Sequence, residues 1–358
     1  MSDESKTGEL HPRYDWLDQA RGFVVLMLIT SMATGEFAGD IVMGEPILGP
    51  PMYNHGYDYY DGIPAIITFI DVGQPLFVFV MGFVGYTAFM SRLRKRGARS
   101  ASLYAARRVL LLYALAALDA ILLRSLTRGG PDWNMFWYGG TFSGIALGSL
   151  TAFVTSAIIR NADRRVLLGI AMMIIHALVY EFPISDHHTW YDDVLGLTKF
   201  PLGAWGLCSV AVFGSCFGQW FQMDKDDPLA GFQKRIAPAS MFAMIAAYCM
   251  EWIQPSEHHD LPIALQLMAV YSGGLMLTIF FAFGKIGVRF PLLSSFGKNL
   301  LIMFALGGFV VSVYWDFLPK DLLQTEPLLL LLLVGIAPIA ALGCLAVWLD
   351  KRGIMVRA

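Results

Sequence analysis

The chain alternates long apolar segments with short polar ones. Windows of about 20 predominantly apolar residues are long enough to cross the hydrocarbon core of a bilayer as helices. Ten such windows are present, which predicts an all-α polytopic membrane protein of about ten transmembrane helices, with one membrane domain over residues 1–358. The predicted spans are 19–38, 63–90, 105–126, 134–159, 166–182, 200–222, 236–254, 261–284, 293–316 and 326–349.

Composition agrees with this interpretation. Hydrophobic residues make up 56% of the chain and charged residues only 15%, and the mean hydropathy is +0.56. Soluble domains are usually about one quarter charged. The net charge of −2 also argues against a nucleic-acid partner, because such partners select strongly basic surfaces.

The positions of lysine and arginine predict an orientation. All but four of the 26 lie in or beside the terminal segments and the loops after spans 2, 4, 6 and 8. The exceptions are Arg124, Arg128, Lys199 and Lys320. Because basic residues are retained on the cytoplasmic side, both termini are predicted to be cytoplasmic. The expected location is a bacterial inner membrane, as a multi-pass protein.

Asp71 is an acidic residue inside the apolar run 63–82. A carboxylate in hydrocarbon is costly unless it faces a polar cavity, so it is a functional candidate. Pro75, four residues later, cannot donate a hydrogen bond to the carbonyl of Asp71. The helix is therefore expected to be open where the charge lies.

Asp18 and Arg21 lie three residues apart at the start of the first span, so on a helix they can form an ion pair on one face. The simpler interpretation is a helix-start carboxylate beside an arginine that follows the positive-inside pattern. The alternative is an arginine placed to bind a phosphate from the cytosol, since a guanidinium binds phosphate bidentately.

His55 falls in the predicted outer loop 39–62. An imidazole near neutrality can serve as the base of a transfer reaction, and it can also accept an acyl group as a nucleophile. A solvated loop side chain is the alternative.

Other histidines suggest further sites. The outer-loop pairs His187–His188 and His258–His259 have acidic neighbours, but no spacing typical of a metal site supports them, and no metal is predicted. Asp119 and His176 lie within predicted spans. They can form interhelical hydrogen bonds, or they can line a cavity or proton path.

Several stretches together resemble the heparan-alpha-glucosaminide N-acetyltransferase family of membrane enzymes. Residues 13–22 (RYDWLDQARG) are similar to the family's R…S-x-D-x-x-R-G, and residues 71–82 (DVGQPLFVFVMG) to its D-x-x-x-P-x-F-x-F-x-x-G. Residues 200–205 (FPLGAW), followed by Gly214 and Gly218, resemble F-P-L-x-P-W…G…G, and residues 296–301 (FGKNLL) resemble a late G-x-N-S-L element.

The resemblance implies a transmembrane acyltransferase. Acetyl-CoA would be presented from the cytosol and its acyl group moved to an extracytoplasmic sugar or glycolipid. Arg21, with Asp18 beside it, would contact the cofactor, His55 would be the catalytic histidine, and Asp71 would line the acceptor site. The partners implied are membrane lipid, the sugar or glycolipid acceptor, and a membrane-protein partner or a second copy of the chain.

One departure from the family pattern favours another class of function. The family's G-V-L-Q-R-I element corresponds to residues 140–145 (GTFSGI), which lack the Gln-Arg pair. A non-catalytic relative, serving as a structural or binding subunit of a membrane complex, is therefore the second hypothesis. A proton-coupled transporter using Asp71, Asp119 and His176 is the third, although no matching inverted halves are present.

Overall fold

In the computed structural model the chain is described for residues 14–41, 69–127, 129–181, 183–185, 188–189, 202–223, 228–254, 261–316 and 336–354. Nearly all of these residues are helical, which confirms the predicted all-α class. The exception is a short antiparallel pair, β1 (Pro183–Ser185) with β2 (His188–Thr189), in which Pro183 pairs with Thr189 and Ser185 with His188.

The helices coincide with the predicted apolar windows. In chain order they are α1 Asp15–Ile41, α2 Phe69–Ala117, α3 Arg124–Thr127, α4 Thr141–Ile158, α5 Ala162–Glu181, α6 Leu202–Met223, α7 Pro228–Gly231, α8 Ala237–Glu251, α9 Ile263–Lys285, α10 Pro291–Lys298, α11 Leu300–Asp316 and α12 Ile336–Lys351. Three π-helical segments adjoin them: Leu118–Leu123, Met135–Gly139 and Phe232–Ile236.

α2 contains two predicted spans and the basic loop between them. Its backbone leaves the helical region at Gly97, where φ is +80° and ψ is 174°. Glycine adopts this conformation without the steric cost that a Cβ would impose. Arg92 contacts Tyr104 and Met81 contacts Arg108, so the two halves lie side by side and run antiparallel.

Three helices of the described chain are long and apolar enough to cross a membrane, judged by length and composition. They are α4, α6 and α9, with mean hydropathies of 1.5, 1.3 and 1.8. A fourth candidate is α10 together with the first part of α11, a pair bent by 93° at its break. The number is smaller than the ten expected from the sequence: α8 and α12 have only 15 and 16 residues, α5 carries two arginines near its start, and residues 317–335 lie outside the described part.

The centre of the bundle is α6, which packs against α2, α4 and α5. Gly214 and Gly218 allow it to approach α2 closely, because a Cβ at either position would collide with the carbonyl oxygen of Phe79 or of Phe83. Gly82 on α2 lies against the carbonyl of Ala211 in the same way. Small residues at such crossings let helix backbones come together in membranes.

A second close crossing joins α1 to α10. A Cβ at Gly22 would collide with the carbonyl oxygen of Leu293, and a Cβ at Gly297 with that of Asp18. The first turns of α1 are therefore held against α10, and this contact positions the polar cluster described next.

Candidate polar site at the start of α1

Polar side chains meet where the start of α1, the length of α10 and the end of α12 come together. α10 begins with Pro291 at its first position, which is compatible with a helix start because proline lacks the N–H that would be unpaired there. It ends at Asn299, a fully buried residue (φ −115°, ψ 33°) from which the chain turns into α11. The break places the polar end of α10 beside α1 and α12 rather than in line with α11.

Asp15 and Gln19 connect α1 to α10. Gln19 Nε2 donates to Asp15 Oδ2 at 2.8 Å, and its Oε1 accepts from the backbone N–H of Phe290 at 3.0 Å. Ser294 Oγ donates to Asp15 Oδ1 at 2.8 Å. Arg289 lies at the rim, 4.0 Å from Asp15 and with a side chain that is 79% exposed.

Asp18 and Arg21 form the ion pair that their spacing predicts. Arg21 Nη1 donates to Asp18 Oδ1 at 3.1 Å, and the side chains are 22% and 5% exposed, respectively. Helix geometry places residues three apart on one face, so this pair is confirmed. The role of Arg21 in cofactor binding remains a prediction.

Lys298 and Asp350 form the third part of the cluster. Lys298 Nζ lies 2.8 Å from both carboxylate oxygens of Asp350, and Ser295 Oγ donates to Oδ2 of the same carboxylate at 3.0 Å. Both charged side chains are about one quarter exposed, at 25% and 26%. This contact ties the last helix to α10 at the level of the Asp18–Arg21 pair.

The described members of the cluster carry equal numbers of positive and negative charges. Its acidic members are Asp15, Asp18 and Asp350, and its basic members are Arg21, Arg289 and Lys298. A phosphate that bound here would have to compete with carboxylates that already contact the cations. The arrangement is therefore suited to orienting a ligand by hydrogen bonds more than to concentrating anions.

The other two predicted site residues are not brought to this cluster. His55 lies outside the described residues. Asp71 is in the first turn of α2, whose backbone is described there while its side chain is not, and Pro75 lies inside the same helix.

His176 forms an interhelical contact. Its ring is fully buried, and Nε2 lies 3.1 Å from the carbonyl oxygen of Leu202, the first residue of α6. The interhelical hydrogen bond that was one of the two expectations is confirmed for His176. Asp119 lies in the π-helical segment after α2, where neither interpretation is decided.

Among the described residues, no group of three or more histidines, cysteines, aspartates or glutamates could hold a metal ion. His188 belongs to β2, whereas His187, His258 and His259 lie outside the described part of the chain.

Two buried arginines were missed by the sequence interpretation. Arg165 is fully buried: Nη1 donates to the carbonyl of Ile159 at 2.7 Å, and Nη2 to Gln219 Oε1 at 2.7 Å and to the carbonyl of Ser215 at 3.3 Å. Arg108, on the second half of α2, is 6% exposed.

The burial of both arginines could have been predicted from the spacing of apolar residues on their helices. Arg108 occupies a place in the stripe of buried positions on its helix, and Arg165 does so on α5. The buried stripes are Ala101, Ala105, Arg108, Leu112 and Ala116 on α2, and Ala162, Arg165, Gly169, Met173 and His176 on α5. Steps of three and four residues define one face of a helix, so an arginine within such a stripe must point inward.

The stretches that resemble the acyltransferase family meet in pairs. The described part of the first stretch packs against Gly297 at Asp18, and the second stretch packs against α6 where Phe79 meets Gly214. No family model and no curated protein matches the chain. The family resemblance therefore rests on these stretches, and membership of the family remains a prediction.

Proposed function

We propose that the protein is a membrane acyltransferase of about ten transmembrane helices, which moves an acetyl or other acyl group from cytosolic acyl-CoA to an extracytoplasmic sugar or glycolipid. The observation that supports this most is the meeting of residues 15–22 with the stretch around Gly297 and Lys298, far apart in sequence, around a half-buried polar cluster. The positive-inside pattern predicts that this cluster and both termini face the cytoplasm, from which acyl-CoA would arrive.

The proposed chemistry divides between the two sides of the membrane. On the cytoplasmic side, Arg21 would hold a phosphate of the donor. On the outer side, His55 would take the proton of the acceptor hydroxyl or amine as that group attacks the acyl carbonyl. The carbon–sulfur bond of the thioester would then break, the CoA thiolate would leave and take the proton back from His55, and Asp71 would orient the histidine or the acceptor.

Binding of acetyl-CoA to the purified full chain in detergent tests the donor site. The wild type is expected to bind, and Arg21→Ala to bind at least about 10-fold more weakly, because a charge-assisted hydrogen bond to phosphate contributes about 1.5–3 kcal/mol. Arg289→Ala is the matched control: it removes the same charge from the exposed rim of the cluster. Equal affinities of wild type and Arg21→Ala would remove Arg21 from the donor site.

The acyl-transfer step has its own test. His55→Ala should abolish transfer of a radiolabelled acetyl group to membrane glycolipid while leaving acetyl-CoA affinity nearly unchanged. Transfer that survives this substitution would show that His55 is not the catalytic group.

A non-catalytic subunit is the second candidate, and two observations favour it. The cations of the polar cluster already contact carboxylates. In addition, residues 140–145, where the family has its Gln-Arg pair, serve packing: Ser143 Oγ donates to the carbonyl of Met135 at 2.9 Å, and a Cβ at Gly144 would collide with Leu207. Absence of acetyl-CoA binding by the wild type, together with co-purification of a second membrane protein or a second copy of the chain, would favour this candidate.

A further inference from the structure

Arg108 is a buried cation without an acidic partner. Its Nη1 donates to the hydroxyl of Tyr104 at 3.0 Å and its Nη2 to the sulfur of Met81 at 2.8 Å, while Nε has no hydrogen-bond partner. No acidic side chain of the described chain forms an ion pair with it. A neutral hydroxyl and a thioether are weak partners for a guanidinium that is 94% removed from solvent.

Such an arrangement is costly without a counter-charge. Removing a guanidinium from water costs several kcal/mol, and buried charges in proteins are normally paired with the opposite charge. Charged residues within membrane segments pair, or face a water-filled path, and usually mark a functional site. The described residues therefore supply no counter-charge to Arg108.

Arg92 supplies a second positive charge to the same place. Its guanidinium carbon lies 4.0 Å from the centre of the Tyr104 ring, and Arg108 contacts the hydroxyl of that tyrosine. Tyr104 thus has one guanidinium on its face and another at its hydroxyl. Arg92 also forms no ion pair with the acidic side chains of the described residues, so the two positive charges add.

The location indicates the kind of anion. Arg108 lies one helical turn after Tyr104, so it is about 6 Å farther than Tyr104 from the bend at Gly97, measured along the helix. Tyr104 packs on Phe153, with 5.9 Å between the ring centroids, beside a cluster that contains Phe89. A phosphate held between the two guanidinium groups would therefore meet apolar side chains, which suits a phosphate carried by an amphiphile.

We propose that Arg92, Tyr104 and Arg108 form a binding site for the phosphate group of an amphiphilic ligand. Guanidinium groups bind phosphate oxygens through charge-assisted hydrogen bonds, and the free Nε–H of Arg108 is a donor for one of them. The phosphate belongs either to an anionic membrane lipid or to CoA. The site does not depend on acyl transfer; if CoA occupies it, it is a second donor-binding locus in addition to Arg21.

The test compares two phosphate probes on the purified full chain in detergent: dioctanoyl phosphatidic acid and CoA. Arg108→Gln, which removes the charge while keeping amide donors, is expected to weaken binding of at least one probe about 10-fold or more. Arg107→Gln is the matched control, because Arg107 is the exposed neighbour at the same depth. Arg108→Lys keeps the charge and should retain most of the affinity.

Each outcome decides the proposal. Binding of phosphatidic acid alone identifies a lipid site, and binding of CoA that is sensitive to Arg108 but not to Arg21→Ala identifies a separate cofactor locus. Equal losses in Arg108→Gln and Arg107→Gln would mean attraction by general positive charge, and would overturn the site, as would the absence of binding by either probe. Should Arg108→Gln fail to fold, Arg92→Gln, at a more exposed position, replaces it with the same expectation.

Discussion

Replacing Gly297 by alanine tests the close crossing of α1 and α10 on which the polar cluster depends. A Cβ at Gly297 would lie 2.6 Å from the carbonyl carbon of Asp18 and would overlap its oxygen. These are backbone atoms of a helix, so relief requires the two helices to separate. Separation would also lengthen the hydrogen bonds that join Asp15 and Gln19 to α10.

The expected loss of stability follows from two opposing contributions. Overpacking in a well-packed interior costs about 1–3 kcal/mol, and a backbone neighbour places this substitution toward the upper end. Alanine regains up to about 1 kcal/mol over glycine in a helix. The net expectation is a destabilisation of about 2 kcal/mol, which lowers the melting temperature by about 3 °C in a chain of this length.

Thermal unfolding of purified variants in one detergent, followed by tryptophan fluorescence at one scan rate, measures the effect. A fixed scan rate matters because membrane proteins often unfold irreversibly. The matched control is Gly343→Ala on α12, where a Cβ would lie 3.5 Å from Leu292 Cδ1, an ordinary contact. That variant should melt at or slightly above the wild-type temperature. Equal melting temperatures for Gly297→Ala and Gly343→Ala would refute the close crossing.

Two further predictions concern hydrogen-bonded pairs. A double-mutant cycle of Lys298→Met and Asp350→Asn, measured by the same thermal unfolding, should give a coupling of about 1 kcal/mol or less, since both side chains are partly exposed; a coupling above about 3 kcal/mol would contradict this. Ser209→Ala should destabilise the protein by about 1–3 kcal/mol, because Ser209 Oγ donates to Gln266 Oε1 in the fully buried interior and the substitution leaves that oxygen without this partner. An unchanged melting temperature in Ser209→Ala would show that the amide finds another donor.

The positions of the helices could be predicted because hydrophobic length is a one-dimensional property. All ten apolar windows contain helix in the described residues, and α1 and α6 match their windows to within a few residues. The bend at Gly97 falls in the loop expected between the windows 63–90 and 105–126, so it agrees with the sequence. The break at Asn299 is different in kind, because it lies inside the window 293–316, which contains no signal that distinguishes a straight helix from a broken one.

Of the contacts in the candidate site, the sequence predicted only the one between residues that are close together in the chain. Asp18 and Arg21 pair within one helix turn, so their spacing was sufficient. Lys298 and Asp350 are 52 residues apart, and only the crossing of α10 with α12 brings them together. Arg108 was counted among the basic residues of the cytoplasmic side, because counting charge does not distinguish an arginine in a buried stripe from its exposed neighbour.

The glycines at the close helix crossings cannot distinguish the two candidate functions. Gly22, Gly82, Gly214 and Gly297 are needed because a backbone approaches each of them, so a catalytic and a non-catalytic protein of this architecture would both retain them. Their match to the family pattern is therefore expected under either function, and adds nothing to the case for catalysis. Evidence for catalysis has to come from the polar residues. Among the described residues, Arg21 distinguishes the two functions best. Its contact with Asp18 is compatible with both, but only the enzyme should lose acetyl-CoA binding when Arg21 is replaced.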